Sequence, residues 1–243
     1  MFHFDRNFGL FIGKLPDNNF HKHYAMQISV SGNSNMSLLI KNGTEISGNA
    51  FFLNSKVAHR LKSENNQLTI LINPLNSTGH QFYLTNQKLD FVKLENSLSK
   101  ELIAILLKFE SSKVTFESLC TVVSNILYNY KCACESERHF KDNRILTALK
   151  YMDDNFERVL SLEEVSEKCF LSATRFLHLF KEKTNLSFRR YQLWNKVIKS
   201  LPYLMQHSVT ETAYTFGFSD SSHYTRTFKE TFGETPKFLF PKQ

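Results

Sequence analysis

The sequence predicts an α+β chain of two domains. Three observations carry that reading: its length, a change of hydrophobic period near residue 95, and a duplication inside the last hundred residues. At 243 residues the chain exceeds the usual size of one core. Hydrophobic residues make up 42% and charged residues 22%, with 8 Gly and 5 Pro, which excludes a collagenous, low-complexity or broadly disordered chain. No apolar run approaches the roughly 18 residues that a membrane span requires. The longest candidate is Leu102 to Leu107, and the start Met1-Phe2-His3-Phe4-Asp5 lacks a signal-peptide core. The expectation is a cytoplasmic protein with no membrane partner.

From about Phe20 to Phe91 the chain reads as short strands between polar turns: Ala25 to Val30, Ser37 to Ile40, Asn49 to Leu53 and Leu68 to Ile72. Asn42-Gly43 between two of these runs is a hairpin signal. Many short strands with such punctuation favour a small barrel or sandwich, here assigned to residues 1–95. Within it His21, His23 and Gln27 occupy alternating positions of an expected strand and project from one face. His59 follows Gly48 further on.

Helical spacing begins after residue 95. Leu98, Leu102, Ile105 and Phe109 form one stripe, and Leu119, Val123, Ile126 and Tyr130 a second. Residues 96–131 are therefore expected to be a helix pair, packed on the barrel or forming a seam to a second copy of the chain. Residues 132–141 are polar and read as a linker. The four cysteines, Cys120, Cys132, Cys134 and Cys169, have no paired C-x-x-C spacing and are expected as reduced thiols. No role is assigned to Cys132 and Cys134 at this level.

Residues 142–243 are helical in pattern throughout. Thirty basic residues against 23 acidic ones leave +7, and the stretch from Lys168 to Lys199 holds eight basic residues against Glu182 alone. Such a local excess suits an anionic partner. The duplication lies here. Ser161-Leu162-Glu163-Glu164 is answered by Ser208-Val209-Thr210-Glu211, each with the Ser-x-x-Glu spacing of a capping box. Leu171-Ser172 is answered by Phe218-Ser219, and Phe180-Lys181-Glu182 by Phe228-Lys229-Glu230, an offset of 47 that becomes 48 after one inserted residue.

Each copy has a short helix, a tight connection and a second helix opened by Ser, the layout of a helix-turn-helix. Gly217 supplies the second turn with a residue free to adopt positive φ, and Phe170 stands at the same place in the first, at a cost of about 1 kcal/mol if that conformation is kept. Helical phase puts Phe176, Leu179 and Phe180 inside. Thr174, Arg175, Leu177, His178 and Lys181 remain as groove-reading candidates. In the second copy Tyr224 and Phe228 are inside, leaving Ser221, Ser222, His223, Arg226 and Lys229. Arg189, Arg190 and Lys196 on the joining helix are candidate phosphate contacts. An α-helix fits the major groove, where Arg reads guanine and an apolar side chain meets the thymine methyl.

The segment from about Arg144 to Phe240 resembles the DNA-binding domain of the AraC/XylS family of bacterial transcription regulators. The resemblance rests on Ser161 to Val165, Leu171-Ser172 with Leu179-Phe180-Lys181, and Ala213 followed by Gly217 to Lys229. Phe232-Gly233 and Thr235-Pro236 close it. It implies two helix-turn-helix units, joined by a helix of about Ser187 to Met205, entering successive major grooves of double-stranded promoter DNA. By position the reading residues would be Thr174, Leu177 and His178, then Ser221, Ser222, His223 and Arg226. Pro202 predicts a kink or early end in the joining helix, and Trp194 is expected to pack between the units.

The spacing of His21, His23 and His59 resembles the two motifs of the cupin barrel, with Gln27 in place of the acidic residue, Asn54 in place of Pro and Lys56 in place of the second Gly. Three imidazoles can bind a divalent metal; the missing carboxylate argues against it. The reading adopted is a transcription regulator without cofactor or metal. In it a cupin-like barrel, with His21, His23, Gln27 and His59 as an effector pocket, controls a double helix-turn-helix domain. A small-molecule effector, RNA polymerase and a second copy of the chain are candidate partners. The competing readings are a metal-dependent cupin enzyme with a helical appendage and a non-selective architectural DNA binder.

Overall fold

A computed structural model describes residues 1–4, 8–15, 18–86, 89–134 and 142–240, so the expected linker lies outside the described residues from position 135 onward. The described residues form two compact units. The first holds strands β1 (Phe2–Phe4), β2 (Phe8–Leu15), β3 (Met26–Ser31), β4 (Met36–Ile40), β5 (Glu45–Gly48), β6 (Ala50–Leu53), β7 (His59–Ile72) and β8 (Phe91–Lys93). Helices α1 (Ser77–Asn86), α2 (Ser97–Glu110) and α3 (Phe116–Asn129) complete it.

Every strand pair is antiparallel, in the order β1-β2-β7-β3-β6-β8, with β4 joined to β5 and β7. The long strand β7 serves two ladders: Leu68 to Ile72 lies between β2 and β3, whereas His59 to Lys62 pairs with β4. Both faces of the sheet are covered. Met26, Ile28, Val30, Ala50, Phe52 and Ile70 pack under the Leu98, Leu102, Ile105 and Leu119, Val123, Ile126 stripes of α2 and α3. Phe51 and Leu53 pack the other way, with Met36, Leu38, Ile40 and Leu61. The stripes thus pack against the sheet within their own chain, with Phe109 and Tyr130 only partly buried.

The structure corrects the strand reading in three places. The Leu68 to Ile72 segment is the end of a 14-residue strand, whose polar middle, Ser63 to Gln67, hides the apolar alternation. Strands β1, β2, β5 and β8 were not expected, three of them being only 3 or 4 residues long. Inside the expected β region sits α1, started by Asn76, whose Oδ1 accepts from the Gly79 amide at 2.7 Å. The Asn42-Gly43 turn does join β4 to β5, with Gly43 at φ 94°.

The second unit holds α4 (Asn143–Asp154), α5 (Leu162–Lys168), α6 (Ala173–Thr184), α7 (Phe188–Leu204), α8 (Val209–Thr215), α9 (Ser221–Phe232) and a closing 3-10 turn, Pro236–Leu239. Pro202 lies inside α7, which runs on to Leu204 with Met205 as its cap, so the helix reaches nearly its full expected length and the early end expected at Pro202 is not seen. Among the described residues no helix is long and apolar enough to cross a membrane.

Candidate nucleic-acid interface

The pairs α5/α6 and α8/α9 are built on one design. Ser161 and Ser208 cap their helices by accepting from the Glu164 and Glu211 amides. The full reciprocal box exists only in the second copy, where the Glu211 carboxylate returns to the Ser208 amide at 2.9 Å. In the first copy the Glu164 carboxylate turns instead to Arg158 and Tyr151, which hold its pKa down to about 2.

Each first helix ends on the same left-handed turn. Phe170 and Gly217 have φ 54° and 66°. Their amides donate to the carbonyls of Glu167 and Tyr214, both at 3.0 Å, and the following amides, of Leu171 and Phe218, reach back to Ser166 and Ala213 at 3.0 and 2.9 Å. That is a Schellman-type ending. A Cβ at Gly217 would lie 2.9 Å from the Glu157 carbonyl oxygen and 2.7 Å from Lys196 Nζ. Glycine is therefore required there by space as well as by φ. Phe170 is 95% exposed, so the first turn has room for a side chain and carries only the conformational cost.

The second helices begin differently. Ser172 caps α6 by accepting from the Arg175 amide. Asp220, not Ser219, caps α9, accepting from the His223 amide at 2.7 Å. The inserted residue detected in the repeat falls here. It leaves Ser219 bonded to Asp220 and to His223 Nδ1.

Phe176, Leu179 and Phe180 of α6, and Tyr224, Thr227 and Phe228 of α9, are buried. Thr174, Arg175, Leu177, His178 and Lys181 are all exposed on the opposite side of α6. On α9, Ser222, Arg226 and Lys229 are exposed and Ser221 and His223 half-buried. Two solvent-facing rows of cationic, hydroxyl and imidazole groups result, the donor and acceptor set that major-groove edges require.

Helix α7 fixes both units to one rod. Toward the first, Gln192 Nε2 donates to Leu160 O at 3.1 Å and Asn195 Nδ2 to Met152 O at 3.3 Å. Toward the second, the hydroxyls of Ser200 and Tyr224 lie 2.8 Å apart, buried, and Lys196 Nζ donates to Gly217 O at 3.0 Å. Lys196 corrects the sequence reading. It is 2% exposed and cannot reach a phosphate from that position; its ammonium caps the second turn, and burial pulls its pKa to about 8. Arg189 and Arg190 are exposed at the start of α7. Trp194 is buried, as expected for packing.

In the first unit His21, His23 and His59 do come together, with ring centroids 4.5 to 5.6 Å apart. Each Nδ1 lies 2.7 to 2.9 Å from a backbone carbonyl oxygen, of Asn19, Ala25 and Val57 respectively. For His21 and His59 a neutral ring donating there keeps its lone pair on Nε2, whereas His23 Nε2 faces the Gln27 Oε1 acceptor. Burial lowers all three pKa values, that of His21 to about 4. His23 Nε2 and the Gln27 side-chain amide are 2.9 Å apart, and Gln27 continues through Ser29 to Thr69 in a buried polar row. One ring nitrogen from each of the three histidines lies within 4.8 Å of the other two. Lys56, where the cupin motif has glycine, adopts φ 66°.

Two helix-turn-helix units mounted on a common helix define the double helix-turn-helix class of DNA-binding domains. Residues 165–240 match the helix-turn-helix domain family. The HTH-type transcriptional activator RhaS of Escherichia fergusonii is 29% identical over 99 residues, which is 40% of this chain and 35% of that protein. RhaS of Salmonella arizonae is 32% identical over 98 residues, with the same coverage. The chain thus spans about a third (35%) of the length of these curated relatives. The whole fold is similar to the crystal structure of an apo ToxT variant from Vibrio cholerae, with a TM-score of 0.63 and 16% identity over 98% of both chains. Wild-type ToxT with unsaturated fatty acid bound gives 0.61 and 15%, over 99% of this chain and 97% of that one. The carboxy-terminal segment is thus similar to the helix-turn-helix segment of these activators, and the fold to that of ToxT.

Proposed function

We propose that the protein is a sequence-specific DNA-binding transcription regulator whose amino-terminal unit controls a carboxy-terminal reader. The observation that carries this is the pair of solvent-facing rows on α6 and α9, each set by the same turn and each tied to α7. Thr174, Leu177 and His178 read one major groove and Ser221, Ser222, His223 and Arg226 the next. Arg175, Lys181, Arg189, Arg190 and Lys229 meet phosphates.

Control requires an effector that prefers one arrangement of the protein over another. In the amino-terminal unit a half-open cavity of about 140 Å³, with Phe8, Ile72, Thr78, Ser124, Tyr128 and Lys131 among its lining residues, suits a small amphipathic molecule better than the crowded histidines do. Regulation through RNA polymerase or a second copy of the chain belongs to the same reading.

Selection of bound sites from a random DNA pool by the full chain tests the proposal. A recurrent motif with two separated blocks supports it. Enrichment without a motif would make the protein an architectural binder, and no enrichment at low salt would remove DNA from its function.

A further inference from the structure

The backbone joins His21 to His59 through a reciprocal pair of hydrogen bonds, each amide donating to the other residue's carbonyl, at 3.1 and 3.0 Å. His23 follows two residues after His21, and all three rings belong to the amino-terminal unit. The Nδ1 atoms of His21 and His59 lie against carbonyl oxygens, which leaves Nε2 as the ligating atom of each. His59 Nε2 is buried and meets no hydrogen-bond partner among the described residues. An orphaned polar atom in a ring only 1% exposed is costly unless something binds it. We propose that His21, His23 and His59 hold a divalent first-row cation of the zinc class.

The missing carboxylate counts against a metal in the sequence; the orphaned nitrogen and the anchored rings count for one. A metal-ligating histidine is usually fixed by donating its other ring nitrogen to a carbonyl or carboxylate, and each of these rings has its Nδ1 on a backbone carbonyl. Imidazole suits Zn²⁺ and its first-row neighbours. No carboxylate joins the cluster among the described residues, which disfavours Mg²⁺ and Ca²⁺. Donors about 2.0–2.1 Å from one tetrahedral ion stand about 3.4 Å apart, so nitrogens within 4.8 Å of one another close by side-chain rotation. His23 exchanges its Gln27 contact for the ion, and His21, half-buried, gives the ion a way in from solvent. Three neutral donors leave the ion both of its charges. A buried net charge is costly, so an anion such as hydroxide takes the fourth position. The site stands independently of DNA binding.

Cobalt titration of the reduced, chelator-stripped full chain tests the site, with Co²⁺ standing in for zinc. The expected result is one Co²⁺ per chain with visible d–d bands, no thiolate-to-metal charge-transfer band, and displacement by one equivalent of Zn²⁺. Losing a group that merely supports a metal ligand costs about 10–100-fold in affinity, so removing a ligand by His23→Ala or His59→Ala weakens binding by at least about tenfold. His80→Ala, outside the cluster, leaves the bands in place. No binding, a thiolate band, or an affinity unchanged by His23→Ala and His59→Ala overturns the proposal; so does a signal lost only with His80→Ala. Should the alanine variants fail to fold, X-ray absorption by the unaltered zinc-loaded chain decides. Three imidazoles at about 2.0 Å support the site, and a sulfur shell at about 2.3 Å refutes it.

Discussion

Phe170 and Gly217 hold the same place in two copies of one turn, and their surroundings give them opposite tolerances. Phe170 has an open side and bears only the left-handed conformation. Phe170→Gly is expected to stabilise the carboxy-terminal unit by up to about 1 kcal/mol. Gly217→Ala adds a Cβ 2.9 Å from a carbonyl oxygen and is expected to cost more than about 1 kcal/mol. Urea unfolding midpoints should move in opposite directions; shifts of the same sign would refute the comparison. The buried histidines make a second prediction. An unfolded chain takes up protons near pH 6.5, whereas folded His21 refuses its proton until about 4. The stability contributed by the neutral ring is therefore complete above pH 6.5 and is lost as the pH falls toward 4. His21→Gln should lose less stability than the unaltered chain between pH 7 and pH 5, and equal losses would contradict this.

Elements were legible to different degrees, for reasons of periodicity. Helices α2, α3 and α5 to α9 announce themselves through stripes, caps and the repeat, and the exposed face of α6 follows from phase alone. Lys196 was misplaced because charge suggests a surface, and nothing in the sequence shows that Gly217 O lies within 3.0 Å of its ammonium. Helix α1 was missed because its apolar residues follow no stripe, and β7 because a polar run interrupts it. At this scale Arg226→Ala should relax preference at one base position, costing about 1–3 kcal/mol there, as site selection with the variant would register. Uniform weakening would place Arg226 on phosphate instead. Lys196→Met, which removes the tie to the second turn, should weaken protection of the block read by α9 while the block read by α6 stays protected. Equal loss at both would make Lys196 a general stability residue.

For the whole molecule, the sequence revealed the α+β class and the two-unit reader because duplication is visible without coordinates. It could not reveal that His21, His23 and His59 come together, since that depends on a backbone bridge between His21, ahead of β3, and His59 at the start of β7. The central claim concerns how α6 and α9 address one duplex together. Phosphate contacts should make affinity fall steeply with salt, and each one removed, such as Arg189→Gln or Arg190→Gln, should reduce the slope by about 1. Hydroxyl-radical footprinting of the full chain on its selected duplex tests the claim most directly. The account predicts two protected stretches on one face of the DNA, about 10 base pairs apart. A single stretch, or protection spread evenly along the duplex, would contradict it.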